Sequence, residues 1–398
     1  MMIKFSIKNV LPGFLIVLAL LSSVKCTWSK DDYSENTFAH YQLKKVKELK
    51  INSLYPVGLL DYSPHEGLYL GYINRFSEGM EIGVFNEDGD IVVHKNREGE
   101  GPEEYTSGLI SLGFSDEREI WALTSNQLLL YDHNLSLKER VYYEPSFSIR
   151  LYDRAEVFSY FFKNNSKSGL SFITNLSGIG RHFDWKDRDF RENHLIEVYH
   201  PNEDSFYELG AISQRSIHDD LDKSVGGLYN PIYIVNRKDS RLYLTATLDN
   251  EITVYDLNSN ELVSRIAINH DDFNSLKTFP VKAQNLPSFN GTPLGSKNHK
   301  IHNLGNGLMA LEYIRGIPYG TYERKKTEDP GYFHLADPDY HKLILFDQNR
   351  QLTSDLSVPQ NANIIMGLPN NRLLVQPELN KEEDFIRFDI YEFSKEQD

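Results

Sequence analysis

Groups able to do chemistry are densest between residues 315 and 341. Arg315, Tyr319, Tyr322, Arg324, Tyr332, His334, Asp337, Asp339, Tyr340 and His341 all fall there. Aromatic faces that stack, beside acids, guanidinium groups and imidazoles that hydrogen-bond, are what carbohydrate and peptide sites use. The spacing His334-x-x-Asp337-x-Asp339-x-His341 also offers two imidazoles and two carboxylates to a divalent cation. It matches no established metal motif, so the reading kept is a polar binding loop with no metal and no cofactor. Its candidate contact residues are Arg315, Tyr319, Tyr322, Arg324, His334, Asp337, Tyr340 and His341.

Two other long insertions stand out: residues 213–231, acidic and glycine-bearing with His218, Asp219, Asp220 and Asp222, and residues 269–306, which include His302. Long insertions on a rigid scaffold are where binding and catalytic groups gather. No Gly-x-Ser-x-Gly elbow and no His-Glu-x-x-His pair occurs, and the only cysteine is Cys26. No catalytic residue is assigned. With 57 acids, a glycosidase-type carboxylate pair stays open.

The formal charge is −15, and no basic run is longer than Arg324-Lys325-Lys326. A polyanion binder needs a basic stripe that releases counterions, so nucleic acid is not an expected partner.

The N-terminus carries Lys4 and Lys8 and then an apolar run from Val10 to Val24. About 15 residues fall short of the roughly 20 that span a bilayer, which marks residues 1–25 as a signal peptide. Cys26 follows at once, in the place where bacterial lipoproteins accept diacylglycerol, although Lys25 stands where a small residue is usual. Residues 26–39, opening Thr27-Trp28-Ser29-Lys30-Asp31-Asp32, read as a tether. The expected location is the outer membrane, facing the periplasm or the cell surface, with the acyl group as membrane anchor.

The elements that must position these groups are strands. From residue 55 onward apolar residues alternate over short stretches bounded by Gly, Asn, Asp and Pro, which predicts an all-β body. One unit recurs six times: a strand ending in an aromatic and a polar residue, a tight turn, and a second strand. Its aromatics are Phe85, Tyr131, Tyr199, Tyr255, Phe346 and Tyr391. Further apolar strands lie upstream, such as Gly67–Tyr72, Glu119–Thr124, Arg241–Ala246 and Gly307–Tyr313. Six four-stranded antiparallel sheets set radially make a six-bladed β-propeller over residues 40–398, in which each sheet covers its neighbour. The last copy lacks an outer strand, and Tyr41–Ile51 is the segment available to supply it.

Between the first two units runs Gly99-Glu100-Gly101-Pro102-Glu103-Glu104-Tyr105, after the hairpin Val84–Val93. With Gly99, Gly101, Pro102, Glu104 and Tyr105 as its marks, the segment resembles the linker of a family of exported bacterial six-bladed propellers. These are TolB- or NHL-like proteins of unassigned activity, often lipoproteins, and the resemblance extends over roughly residues 40–394. It implies fold and location and carries over no catalytic residue. The segment itself reads as a crossover between blades, since no Lys-Ser/Thr and no helix follows to make a phosphate loop. The function expected is a lipid-anchored cell-envelope binding module that presents loops to a protein, peptide or glycan. The alternative is a propeller hydrolase or lyase acting on a glycan or lactone, with a channel-bound calcium.

Overall fold

A computed structural model describes residues 38–395 except 77–78, 107, 144–154, 167–168, 175–188, 223–224, 226–227, 276–293 and 379–382. Residues 1–25, expected as a signal peptide, Cys26 and nearly all of the expected tether lie outside them. The short alternating segments fold as strands in six sheets.

Strand β1 (Tyr41–Ile51) comes first in sequence and belongs to the last sheet. The first blade is β2 (Val57–Ser63), β3 (Leu68–Asn74), β4 (Met80–Asn86) and β5 (Ile91–Asn96). The second is β6 (Leu109–Phe114), β7 (Ile120–Thr124), β8 (Gln127–Tyr131) and β9 (Leu137–Tyr142), with β10 (Glu156–Val157) added parallel to β6. The third is β11 (Tyr160–Phe162), β12 (Leu170–Ile173), β13 (His194–His200) and β14 (Ser205–Ala211). The fourth is β15 (Pro231–Asn236), β16 (Arg241–Ala246), β17 (Glu251–Asp256) and β18 (Glu261–Ala267). The fifth is β19 (Lys297–Asn303), β20 (Met309–Ile314), β21 (His341–Phe346) and β22 (Leu356–Ser357). The sixth is β23 (Ala362–Leu368), β24 (Arg372–Pro377) and β25 (Ile386–Lys395), completed by β1.

First strands of neighbouring blades pack side by side: β2 on β6, β15 on β19, β19 on β23 and β23 on β2. They therefore surround the axis of a six-bladed propeller. The ring closes where the sequence required it, because β1 pairs antiparallel with β25 from Tyr41 opposite Lys395 to Ile51 opposite Ile386. Leu49 and Ile51 then pack with Phe85 of the first blade and Phe388 of the sixth. Burying each such side chain contributes roughly 1.5–3 kcal/mol.

The repeated aromatic sits on the third strand of each blade; Phe85, Tyr131 and Phe346 are wholly buried. The polar residue after it shapes the turn. Asn86 Oδ1 accepts from the backbone nitrogens of Asp88 and Asp90, and Asp132 Oδ1 from those of Asn134 and Ser136. Asp256 and Asp347 do the same in blades four and five. The side chain thus substitutes for a backbone acceptor, which is why Asn and Asp recur there.

Four antiparallel strands per blade put turns one-to-two and three-to-four at one end of the ring. Turns two-to-three and the crossovers lie at the other. Tight turns such as 64–67, 87–90 and 304–308 occupy the first end, whereas 97–108, 212–230, 268–296 and 315–340 all leave from the second.

Four sequence expectations need correction. Residues 269–306 are not one insertion, since Lys297–Asn303 is β19, an innermost strand. Its polar sequence, Lys-Asn-His-Lys-Ile-His-Asn, hid it, because positions facing the channel need no apolar side chain. The segment 315–341 is not all loop: it holds helix α1 (Tyr319–Glu328), and His341 already belongs to β21. The second strand of the repeated unit is only two residues long in blade five, Leu356–Ser357. The second sheet gains a fifth strand, β10.

Candidate functional site

Among the described residues, blade five carries the densest set of buried ionisable groups. Glu312 on β20 stands opposite Lys300 of β19 and Leu343 of β21. Side chains alternate faces along a strand, so His302 and His341, each two residues further along, share the Glu312 face. The Glu312 carboxylate takes both: Oε2 lies 2.8 Å from His302 Nε2, and Oε1 lies 2.6 Å from His341 Nδ1. Exposure is 1% for His302, 2% for Glu312 and 7% for His341.

The charge states follow from the partners. His341 Nε2 meets the Leu335 carbonyl at 3.0 Å, so both of its nitrogens face acceptors and the ring is an imidazolium. Burial opposes that charge most strongly, but the hydrogen bond and negative charge of Glu312, the Leu335 carbonyl and the Asp337 carboxylate together outweigh it and raise the His341 pKa. Burial likewise opposes the Glu312 charge, yet hydrogen bonds from His302 and His341 hold its carboxyl far below the usual range. Burial lowers the pKa of His302, which stays neutral and donates through Nε2; its Nδ1 has no partner among the described residues.

Toward the channel, the His299 ring lies 5.7 Å from that of His341. His299 and Lys300 reach solvent and are still surrounded by protein, as expected for groups lining a channel. Desolvation pushes His299 down to about 4 and lowers Lys300, whose Nζ donates to the Ile365 carbonyl of blade six at 2.7 Å. Half-buried Lys297 is pushed down to about 8 by burial alone.

The insertion above these groups is built around Asp337. Its Oδ2 accepts from Lys325 Nζ at 2.7 Å and Tyr332 OH at 2.9 Å, and its Oδ1 from the backbone nitrogen of Asp339 at 3.1 Å. Burial would raise the Asp337 pKa, but these donors lower it. Helix α1 starts after Pro318 and turns Tyr322 inward, 6.0 Å from the Tyr332 ring. His334 is fully buried edge-on to Tyr340 at 4.6 Å, and neither of its ring nitrogens has a hydrogen-bond partner among the described residues. Arg315 Nη2 donates to the Asp339 carbonyl at 3.2 Å, and its guanidinium lies 5.8 Å over the Tyr340 ring.

These eight residues therefore divide by position. Tyr319, 48% exposed, and Arg324 face solvent, whereas Tyr322, His334 and Asp337 hold the insertion together from inside. Arg315 and Tyr340 join the insertion to the blade, and His341 turns to Glu312. His334, Asp337, Asp339 and His341 are not brought together as a ligand set. Among the described residues no group of three His, Cys, Asp or Glu could hold a metal ion. Sequence reasoning missed Glu312, Lys297, His299 and Lys300. Glu312 had a signal, a carboxylate inside the apolar strand Leu-Met-Ala-Leu-Glu-Tyr, while the other three lie on the unrecognised β19.

Neither a family profile nor a curated protein matches this sequence. Among solved structures, the chain is similar to a member of the DUF4221 family from Bacteroides vulgatus. The TM-score is 0.63 at 10% identity, over 90% of this chain and 99% of that one. It is also similar to a Bacteroides fragilis protein described as a candidate exported protein, with a TM-score of 0.51 at 12% identity, over 92% of this chain and 98% of that one. At such identities the likeness is one of fold.

Gly99–Tyr105 crosses from β5 to β6 and is fastened to the second blade. Arg140 Nη2 donates to the carbonyls of Pro102 at 3.1 Å and Glu104 at 2.8 Å, and Tyr131 OH donates to that of Glu103 at 3.0 Å. The Glu104 carboxylate folds back to accept from Gly101 N at 2.7 Å. A Cβ on Gly99 or Gly101 would collide with it. Tyr105 is buried at 1% exposure in the core between the first two blades.

Proposed function

We propose that this chain is an exported cell-envelope binding module, acylated at Cys26, whose propeller presents the loops of one end to a protein, peptide or glycan. The observation that carries the reading is the asymmetry of the ring: tight turns at one end, and insertions with exposed Tyr319, Phe333 and Arg324 at the other. Rigid β-sheets hold those loops in place, and the Asp337 hub fixes the helix that carries Tyr319 and Arg324. The sequence resemblance to exported bacterial propellers and the fold shared with a candidate exported protein support the envelope location.

The test is to probe immobilised protein, lacking residues 1–25, with glycan and peptide arrays. A ligand should emerge whose binding drops at least tenfold in the Tyr319→Ala, Arg324→Ala double variant while the thermal midpoint stays unchanged. A ligand indifferent to both residues sinks the assignment of this face. The alternative, a hydrolase or lyase acting on a glycan or lactone, draws on one observation: a buried carboxylate gripped by two imidazoles beside the channel. It requires turnover that vanishes in Glu312→Gln.

A further inference from the structure

Strand β19 breaks its pairing with β20 at one place, and the break gathers nitrogen groups on one side of the channel. Asn298 stands opposite Tyr313 and Lys300 opposite Glu312, so His299 is an extra residue, a β-bulge. A bulge interrupts the alternation of faces and re-aims a side chain. Lys297 pairs with Ile314, which shares the Glu312 face, and the His299 ring reaches His341 on that same face. Lys297, His299 and Lys300 therefore project together, where regular alternation would have sent Lys300 the other way. The crossover 268–296 leaves from the end of the ring that carries the insertions, so Lys297, the first residue of β19, stands at that mouth of the channel.

The three groups differ in what they touch. Lys300 is tied, since its Nζ donates to the Ile365 carbonyl and Glu312 and Glu156 favour its charge. Lys297 and His299 make no hydrogen bond and no ion pair among the described residues, and His299 opens on the channel. Burial alone acts on Lys297, so no carboxylate of the described residues offsets its ammonium. The segment 276–293 that precedes it contains Lys277 and Lys282 and no acid. Of the groups packed around β19, Glu312 is taken by His302 and His341, and His334, which feels the Lys297 charge, is neutral.

A half-buried ammonium without a counter-charge is costly, and a charge-assisted hydrogen bond is about twice as strong as a neutral one. Lys297 offers one full positive charge, and His299, neutral at physiological pH, offers one N–H. That pair matches a monoanion such as a carboxylate better than a dianionic phosphate. Tyr319 and Phe333 are exposed on the insertion at the same end, and aromatic faces suit a sugar ring. We propose that Lys297 and His299 form a carboxylate subsite at this mouth of the channel, which holds the acid group of an acidic sugar. Lys297 Nζ donates to one carboxylate oxygen and the His299 ring N–H to the other. The subsite rests on the binding reading above for the end at which a ligand arrives, and adds to it the class of ligand.

The probes are D-glucuronate, D-glucose, acetylglycine and inorganic phosphate, titrated into the chain lacking residues 1–25 by calorimetry in HEPES and in Tris. Glucuronate should bind with uptake of a proton near pH 8, because the carboxylate restores the ammonium, and its affinity should fall about tenfold per unit above the Lys297 value of about 8. Lys297→Met should weaken glucuronate at least tenfold and abolish the uptake. Lys297→Arg, which keeps the charge and does not titrate, should bind it without uptake, and His299→Phe should weaken it severalfold. Glucose binding as tightly as glucuronate overturns the charge argument, acetylglycine binding as tightly overturns the sugar assignment, and phosphate binding more tightly overturns the monoanion assignment. Glucuronate indifferent to Lys297→Met, or unbound at tens of millimolar by protein of wild-type thermal midpoint, overturns the subsite. An array ligand that needs Tyr319 and Arg324 and is indifferent to Lys297→Met likewise overturns the subsite, while leaving the binding reading in place.

Discussion

The Arg215 guanidinium rests on the Asp249 carboxylate with the two side chains only 1% and 0% exposed. Tyr229 OH donates to the other Asp249 oxygen at 2.5 Å, and Arg215 also donates to Thr253 Oγ1 at 2.5 Å and to the Glu251 carbonyl at 3.2 Å. An insertion that looked in sequence like a presented acidic loop is therefore bolted to blade four at its start. Burial raises the Asp249 pKa even though Arg215 opposes it, so this carboxylate depends on its partner to stay charged. Arg215→Met should cost about 3–5 kcal/mol in urea unfolding, because it strands a buried acid. Adding Asp249→Leu should recover part of that loss. A single variant as stable as the wild type would mean that the pair does not hold the insertion.

The turn of the first blade leans on the closing strand. Gly89 has φ +91°, and a Cβ there would stand 1.7 Å from the Lys50 carbonyl oxygen of β1. Gly89→Ala should lower stability by at least 1–3 kcal/mol, through strain at positive φ and displacement of the clasp. Gly320, inside α1 with nothing within 4 Å of its would-be Cβ, is the control. There alanine should stabilise by about 0.5–1 kcal/mol, since glycine weakens a helix. Thermal midpoints moving in opposite directions would bear out both arguments.

The fold was legible because the aromatic-polar-turn unit combines burial and turn chemistry in the same few residues, as Tyr131-Asp132 shows: the ring packs in the core while the carboxylate shapes the turn. The clasp was legible by elimination, since Tyr391 lacked an outer strand and Tyr41–Ile51 lacked a partner. Strand β19 was not, because alternation of apolar residues is a signal of burial and a channel-lining strand buries little on its axial side. The candidate site suffered from the same blindness. Glu312, His302 and His341 meet only through cross-strand diagonals, which depend on a register that the sequence does not state.

Cys26 is the proposed acyl site, and its test is metabolic. Labelled palmitate should enter the protein in its native host and be lost in Cys26→Ser, with the variant shifting from the membrane to the soluble envelope fraction. A single acyl chain binds membranes only marginally, so two or more chains are needed for stable anchoring. An unlabelled wild type would remove the anchor from the proposal.

His334 makes the blade-five insertion acid-sensitive. Burial pushes its pKa down to about 4, outweighing the Arg315 backbone and the Asp337 carboxylate, which favour the proton. Between an unfolded value near 6.5 and the folded value near 4, the unfolded chain binds a proton that the folded chain refuses, so stability falls as pH falls through that window. The full contribution is about 3 kcal/mol at 1.36 kcal/mol per unit. His341 runs the opposite way: its raised pKa contributes stability below about 6.5 that is lost as pH rises through the folded value. His334→Leu should therefore leave stability at pH 7.5 within about 1–2 kcal/mol of the wild type and lessen the loss between pH 6.5 and 4. Urea midpoints across that range are the measurement, and an acid limb as steep in the variant as in the wild type would show that His334 is not what the acid attacks.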